Sequence, residues 1–252
     1  MIGEEELLAK RLIELEKKSA LGGYYTFSDF LGLGEQSVFH EAKSSFTSLA
    51  FTLFGGAPET ERKMVRFGNP EDFGYEEDFP ISVIKIEPKS QKFADKLTHR
   101  DFLGAILNLG IERKLIGDIA IIDNVGHVFA KSDIADYIVS SLTTVKRTAV
   151  NAKIENALPD GELFRTERVK IQVSGERLDA VIAKVYSLSR EDAQSLFKKR
   201  LVFVSGKLIE SVSYTPKSAD VISVRGFGRF IYIGVYGTSK KGKLNVDVDV
   251  YV

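Results

Sequence analysis

The sequence predicts an α+β chain in three parts: a mixed N-terminal region (1–75), a central β-α-β-β-α-β domain (76–155), and a C-terminal module (164–252) ending in a β-hairpin. Three observations carry this. Apolar residues switch between helical spacing, as at Phe102, Ile106 and Leu109, and strict alternation, as at Leu244, Val246, Val248, Val250 and Val252. Two stretches rich in turn formers, 68–79 and 151–163 (with Pro159-Asp160-Gly161), divide the chain. Charge is also unevenly spread. Residues 174–243 hold 13 Lys/Arg against 6 Asp/Glu, a net of +7, whereas residues 1–173 carry a net of −5 within a chain of formal charge zero.

In order along the chain, Leu8, Leu12 and Leu15 mark one face of a helix over 4–18, which breaks at Gly22-Gly23. A second helix is expected at 35–46 and a strand from Leu49 to Phe54, ending at Gly55-Gly56. The central domain opens with a strand at Ile81–Ile86. A helix over 98–109 follows, with Thr98 as its cap. Ile119–Ile122 and Val128–Ala130 read as paired strands across an Asp123-Asn124-Val125-Gly126 turn. Ser132 is placed to cap a helix reaching Ser141, with Ile134, Tyr137, Ile138 and Ser141 on its inward stripe, and 143–150 reads as strand. This order is the split βαβ, ferredoxin-like arrangement that RRM domains share. An RRM stacks bases on aromatics of a Lys/Arg-Gly-Phe/Tyr-Gly/Ala-Phe-Val-x-Phe/Tyr strand. The third strand here, Val125-Gly126-His127-Val128-Phe129-Ala130-Lys131, lacks that signature.

Composition removes several functions. With no cysteine, disulfides, thiolate metal sites and thiol catalysis are excluded, and three histidines make a His-rich metal centre improbable. No apolar run nears the ~20 residues of a membrane span, and Glu4, Glu5 and Glu6 are unlike the basic start of a signal peptide. A cytoplasmic protein without membrane contact is expected. The local excess of cations is the footprint of a nucleic-acid surface.

The C-terminal module holds the informative stretch. Val169, Ile171 and Val173 form a lead-in strand. Leu178, Val181, Ile182 and Val185 make an amphipathic helix. Ser189 begins a second helix, its hydroxyl placed to accept from the Asp192 amide. Ala193, Leu196 and Phe197 face inward there; Arg190, Gln194 and Lys198 share an outward face; Lys199 and Arg200 close the helix, suited to its dipole. Val202 and Val204 lead into a Ser205-Gly206 turn. The final strand pairs back on Phe230–Tyr236.

In order and spacing, Arg177-Leu178-Asp179, Ser189-Arg190, Ala193-Gln194, Lys199 through Lys207, Pro216 and Asp220-Val221-Ile222 resemble the S4 (αL-like) RNA-binding domain. Two positions depart: Arg200 stands where the family carries Gly, and Ser205 where it carries Asn. The whole chain resembles the YlmH family, on Gly55-Gly56, Glu61-Arg62, His99 through Ala105, Leu109 through Arg113, Gly117-Asp118-Ile119, Gly228-Arg229-Phe230 and Lys240 through Lys243. That resemblance implies an N-terminal region, an RRM-like domain and an S4 domain in one chain. It further implies docking on ribosomal RNA of the large subunit, with tRNA as a further candidate, in the rescue of stalled ribosomes. Within it, the residues expected to contact RNA are Arg177, Ser189, Arg190, Gln194, Lys198, Lys199, Arg200, Lys207, Arg229, Lys240 and Lys241.

Blander readings stand beside these. Arg190, Gln194 and Lys198 also suit a solvated face, Arg177 can pair with Asp179, and Lys240 and Lys241 suit a solubilising loop. His99-Arg100-Asp101 is near the His-Arg-Leu-Asp motif of pseudouridine synthases but lacks the Leu and precedes the S4 segment. A Gly-rich cofactor loop and the Lys-Met-Ser-Lys-Ser motif are also missing. The expectation is a non-enzymatic monomer needing no cofactor or metal. The alternatives are an RNA-modifying enzyme with an unfamiliar site and a protein-interaction adaptor in cell division.

Overall fold

The computed structural model describes residues 3–48, 50–155 and 163–251. Two compact units emerge, 1–163 and 164–252, so the regions 1–75 and 76–155 lie within the first. Helices and antiparallel sheets occur throughout, an α+β chain. The Pro159-Asp160-Gly161 turn and Leu49 lie outside the described residues.

The first unit begins with helix α1 (Glu4–Gly22), strand β1 (Thr26–Phe27) and helix α2 (Leu33–Ala42). Strands β2 (Phe51–Phe54) and β3 (Met64–Phe67) follow, and then the short helix α3 (Pro70–Phe73). Leu12 and Leu15 are buried as their spacing predicts, but α1 runs one turn further than expected. Its end is set by Gly23 at φ 66°, whose amide donates to Ser19 O. α2 lies two residues earlier than expected and stops at Ala42, with a 3₁₀ turn over Lys43–Ser45. The strands form an antiparallel sheet in the order β1-β3-β2, over a core of Leu12, Leu15, Leu31, Phe39, Val65 and Phe67.

The central domain comprises β4 (Ile81–Pro88), α4 (His99–Leu107), β5 (Ile116–Ile122), β6 (Val125–Lys131) and α5 (Ser132–Ser141). The hairpin β7 (Thr144–Val145) and β8 (Thr148–Glu155) completes it. The sheet order β5-β6-β4-β8-β7 is that of a split βαβ fold with one added edge strand. Three local expectations are corrected. The turn is confined to Asp123 and Asn124, both at positive φ (49° and 67°), so Val125 and Gly126 belong to β6. Ser132 is the first helical residue and caps nothing; its Oγ accepts from Ser82 Oγ at 2.9 Å. The buried residues of α5 are Ala135 and Ile138, with Leu142 buried just past its end, while Tyr137 is half exposed and its hydroxyl reaches Leu109 O.

Only one face of this sheet is covered by α4 and α5, which bury Ile84, Ile86, Phe102, Ile106, Val128 and Ile138. On the other face Phe129 is nevertheless fully buried. The N-terminal region covers it. Gly56 lies so near that an added Cβ would sit 2.2 Å from the Phe129 ring, and Gly117 lies between Phe129 and Phe30. Lys131 Nζ to Asp29 (3.1 Å) and Phe30 N to Lys114 O (2.9 Å) tie the same edge.

The second unit contains β9 (Thr166–Val173), α6 (Leu178–Val185), α7 (Arg190–Lys198), β10 (Val202–Val204) and β11 (Lys207–Leu208). β12 (Val221–Val224), β13 (Gly228–Thr238) and β14 (Leu244–Tyr251) follow. One antiparallel sheet runs β11-β10-β12-β13-β14-β9. β14 pairs with β13 as predicted, and its other edge takes the lead-in strand, Leu244 opposite Val173. Both helices pack on the sheet through Val181, Ile182, Leu196 and Phe197 against Ile222, Phe230, Tyr232 and Val248.

Gly56 combines φ +102° with contact against Phe129. Gly56→Ala is therefore expected to destabilise the first unit by about 2 kcal/mol or more, from left-handed strain and overpacking together. Urea denaturation measures this; a loss below about 0.5 kcal/mol would contradict the packing described.

Candidate nucleic-acid interface

The basic face of the second unit is organised around a carboxylate. Asp179 lies in the first turn of α6, where a negative charge is favoured by the helix dipole. It is fully buried. Arg177, just before the helix, donates from Nε to Oδ1 (3.2 Å) and from a terminal nitrogen to Oδ2 (3.0 Å). From α7, Arg190 Nε reaches Oδ2 at 3.3 Å and Gln194 Nε2 at 2.8 Å. Burial pushes the Asp179 pKa up, but the hydrogen bonds from Gln194 and Arg177 and the charges of Arg190 and Arg177 outweigh it and hold it below the usual carboxylate value. Both guanidiniums remain open to solvent, Arg177 at 44% and Arg190 at 48% side-chain exposure. One buried anion thus fixes two cations and an amide that still face water. Arg190 and Gln194 are not the free outward face that their spacing predicts, and the Arg177–Asp179 pairing is present.

Ser189 caps α7 as expected, its Oγ accepting from Asp192 N at 3.0 Å. The helix ends in a Schellman motif: Leu201 N donates to Leu196 O and Arg200 N to Phe197 O, both at 3.0 Å. Arg200 holds the left-handed position of that motif, at φ 57°, where glycine is favoured. Ser205 (φ 47°) and Gly206 (φ 81°) form the two-residue turn between β10 and β11, a geometry that suits Asn-Gly. Both departures from the S4 pattern therefore fall on left-handed backbone. Lys198, Lys199 and Arg200 are exposed at the end of α7, and Lys207 is exposed just past the Ser205-Gly206 turn, opposite Val204.

The other two sets of expected residues have different surroundings. Arg229 is stacked over Tyr251 (3.9 Å) and near Phe164 (5.0 Å). Lys240 and Lys241 occupy the tip of the β13–β14 hairpin, at the far end of an 11-residue strand, roughly 30 Å from the β12–β13 turn. The structure does not bring Lys240 and Lys241 to the α7 corner, and the Arg229 guanidinium, although its backbone borders that corner, is turned to Tyr251 and Phe164.

In the first unit, the residues of an RRM stacking surface are unavailable. Phe129 is covered, and His127 is buried with Nδ1 3.0 Å from Glu155 Oε2. Asp101 serves helix α4: its carboxylate accepts from Thr98 N (2.8 Å) and Thr98 Oγ1 (2.6 Å) and pairs with Lys146 at 2.9 Å. The Thr98 hydroxyl and Lys146 lower its pKa to about 2, which makes it a poor general base near neutral pH. Arg62 and Arg113 both donate to Ile116 O, and Asp118 accepts from the amides of Glu61 and Arg62. Those shared motif residues brace the two halves of the unit. Among the described residues no group of three or more His, Cys, Asp or Glu is placed to hold a metal.

Sequence reasoning missed two things. Asp179 was visible only as a partner for Arg177, because Arg190 and Gln194 reach it from another helix. In the run Arg225-Gly226-Phe227-Gly228-Arg229, the sequence singles out Gly228 and Arg229 but not Arg225 or Phe227, although basic residues interleaved with an aromatic are a legible signal.

With this geometry in hand, residues 75–157, the split βαβ domain, match the family model described as "Putative RNA-binding domain in YlmH". The class is a multidomain α+β protein carrying that domain at its centre. "Ribosome-associated protein quality control protein P2" of Bacillus subtilis (strain 168) is 30% identical over 251 residues, covering 96% of this chain and 91% of the relative. The chain belongs to the YlmH family. Among solved structures, cell division protein ylmH from Streptococcus pneumoniae aligns with TM-score 0.47 and 24% identity, over 60% of this chain and 91% of that one.

Two outcomes follow from the site geometry. Asp179→Ala removes the shared acceptor and is expected to cost the second unit about 1–3 kcal/mol, its partners being half in water. Because the Asp179 pKa is depressed, its contribution is complete above the ordinary carboxylate value near 4 and is lost as pH falls through the folded value. Urea denaturation at pH 7 and at pH 3 should therefore show the wild-type advantage at pH 7 shrinking at pH 3. Arg200→Gly relieves a left-handed residue and is expected to raise stability by about 0.5–1 kcal/mol while weakening RNA affinity. A fall in melting temperature would contradict the strain assignment.

Proposed function

We propose that this protein is a non-catalytic, cytoplasmic RNA-binding protein that docks on structured ribosomal RNA of the large subunit through the two-helix face of an S4-type C-terminal module, in the rescue of stalled ribosomes. The observation that carries this is the Asp179 cluster. It holds Arg177, Arg190 and Gln194 in place before any ligand arrives, and Lys198, Lys199 and Arg200 extend the cationic face along α7. Fixed cations neutralise phosphates at little ordering cost, and a rigid helix pair sets the register on folded RNA. The major groove of A-form RNA is too narrow for side chains to read, so recognition rests on shape and backbone, with modest sequence preference. The name of the Bacillus relative, which places that protein with the ribosome and quality control, supports the ribosomal reading. Among the described residues no helix is long and apolar enough to cross a membrane.

With roughly 4–6 phosphates engaged, the affinity should fall with a log–log salt slope of about −3 to −5. The deciding experiment is sedimentation of the full chain with separated bacterial ribosomal subunits, comparing wild type with Arg190→Glu/Lys198→Glu. Co-migration with the large subunit, lost in the double variant, is expected. Absence of association with either subunit would refute the ribosomal reading.

A further inference from the structure

The connection from β12 to β13 reads Arg225-Gly226-Phe227-Gly228-Arg229, and Phe227 is 45% exposed. Phe197, Phe203 and Phe230 of the same unit are all buried. A single exposed apolar side chain is ordinary on a protein surface. Three further observations set this one apart.

The ring is backed rather than loose. Tyr186 lies 5.5 Å from it between centroids, and Tyr186 itself packs on Phe230 at 6.1 Å. The turn is closed by Phe227 N donating to Val224 O at 3.0 Å. On either side, Gly226 and Gly228 take φ +87° and +133°, and a Cβ at Gly226 would meet nothing within 4 Å. Bare backbone beside a supported ring leaves room for a flat ligand to approach.

The turn also abuts the basic end of α7. Arg225 N donates to Leu201 O at 2.9 Å, directly after Arg200, and Val224 pairs with Val202. Phe227 thus belongs to the same corner as Lys198, Lys199 and Arg200. Arg225 is itself exposed, its guanidinium 4.9 Å from the Phe203 ring. The cores of protein–protein interfaces are depleted in charge, whereas an aromatic among cations is how proteins grip single-stranded nucleic acid: the ring stacks a base and the cations hold its phosphates.

We propose that Phe227 is a stacking platform for an unpaired RNA base next to the helical segment held by α7, with Arg225 and the Lys198–Arg200 corner contacting the flanking phosphates. This rests on the RNA-docking reading above and adds to it a class of target: structured RNA with an unpaired nucleotide beside a helix. Stacking is not ionic, so it leaves a distinct signature. Phe227→Ala should weaken binding of the full chain to isolated large ribosomal subunits about tenfold, with the salt slope unchanged. Phe227→Trp should retain affinity, and Phe227→Leu should resemble Ala, which separates ring stacking from plain apolar contact. Wild-type affinity in Phe227→Ala, while Arg190→Glu abolishes binding, would overturn this inference and leave the docking reading standing. A second measurement is independent of the ribosome. A single-stranded RNA carrying one 2-aminopurine should be quenched by the wild-type chain and not by Phe227→Ala of equal melting temperature. Equal quenching by both proteins, or none by either, would also overturn it.

Discussion

The C-terminal unit depends on one buried charge. A carboxylate taken out of water costs several kcal/mol unless it is fully hydrogen-bonded, and Asp179 meets that demand by drawing in donors from two helices. The cations are placed as a consequence. A partner Arg chosen only to neutralise Asp179 could be buried with it, yet Arg177 and Arg190 remain half in solvent. The same bonds lock the angle between α6 and α7, so the element that stabilises the helix pair also presents its charge. Stability and the placement of surface charge are therefore linked at this position, and alterations of Asp179 cannot leave the surface untouched.

The N-terminal unit uses a related economy of surface. An antiparallel sheet with helices on one side leaves its other side for solvent or a ligand. Here Gly56, Gly117 and Phe30 converge on Phe129, and His127 is closed off by Glu155. The β6 part of the face on which an RRM stacks bases is built into the packing between the N-terminal region and the central domain, while Asn151 and Lys153 on β8 stay exposed. The missing aromatic signature of β6 agrees with the burial of Phe129 and His127, which leaves neither ring open to a base. If Phe227 is a base contact, the stacking function resides in a turn of the other unit.

Much of the fold was legible because it follows from local periodicity. The alternation through β14, the apolar face of α6 and the capping of α7 by Ser189 each need only a few neighbouring residues to specify them. The errors were of two kinds. Tyr137 misled the reading of α5 because a tyrosine can lie flat on the surface and use its hydroxyl, while small Ala135 took the inward place. Long-range placement was out of reach: nothing in residues 177–179 signals that Arg190 and Gln194 will join them. The candidate site was legible as a set of residue types and not as an arrangement. Arg200 and Ser205 are instructive in this respect. Both stood out as departures from a pattern, and their positive φ values explain why that pattern favours Gly and Asn there.

In the proposed role, Asp179 acts on RNA through the side chains it holds. A double-mutant cycle on affinity for the large ribosomal subunit, using Asp179→Asn, Arg190→Ala and the double variant, tests it most directly. Strong non-additivity is expected, a coupling of about 1 kcal/mol or more, because removing Arg190 removes much of what Asp179 positions. Additive losses, within about 0.3–0.5 kcal/mol, would mean that the two residues act independently and would contradict it.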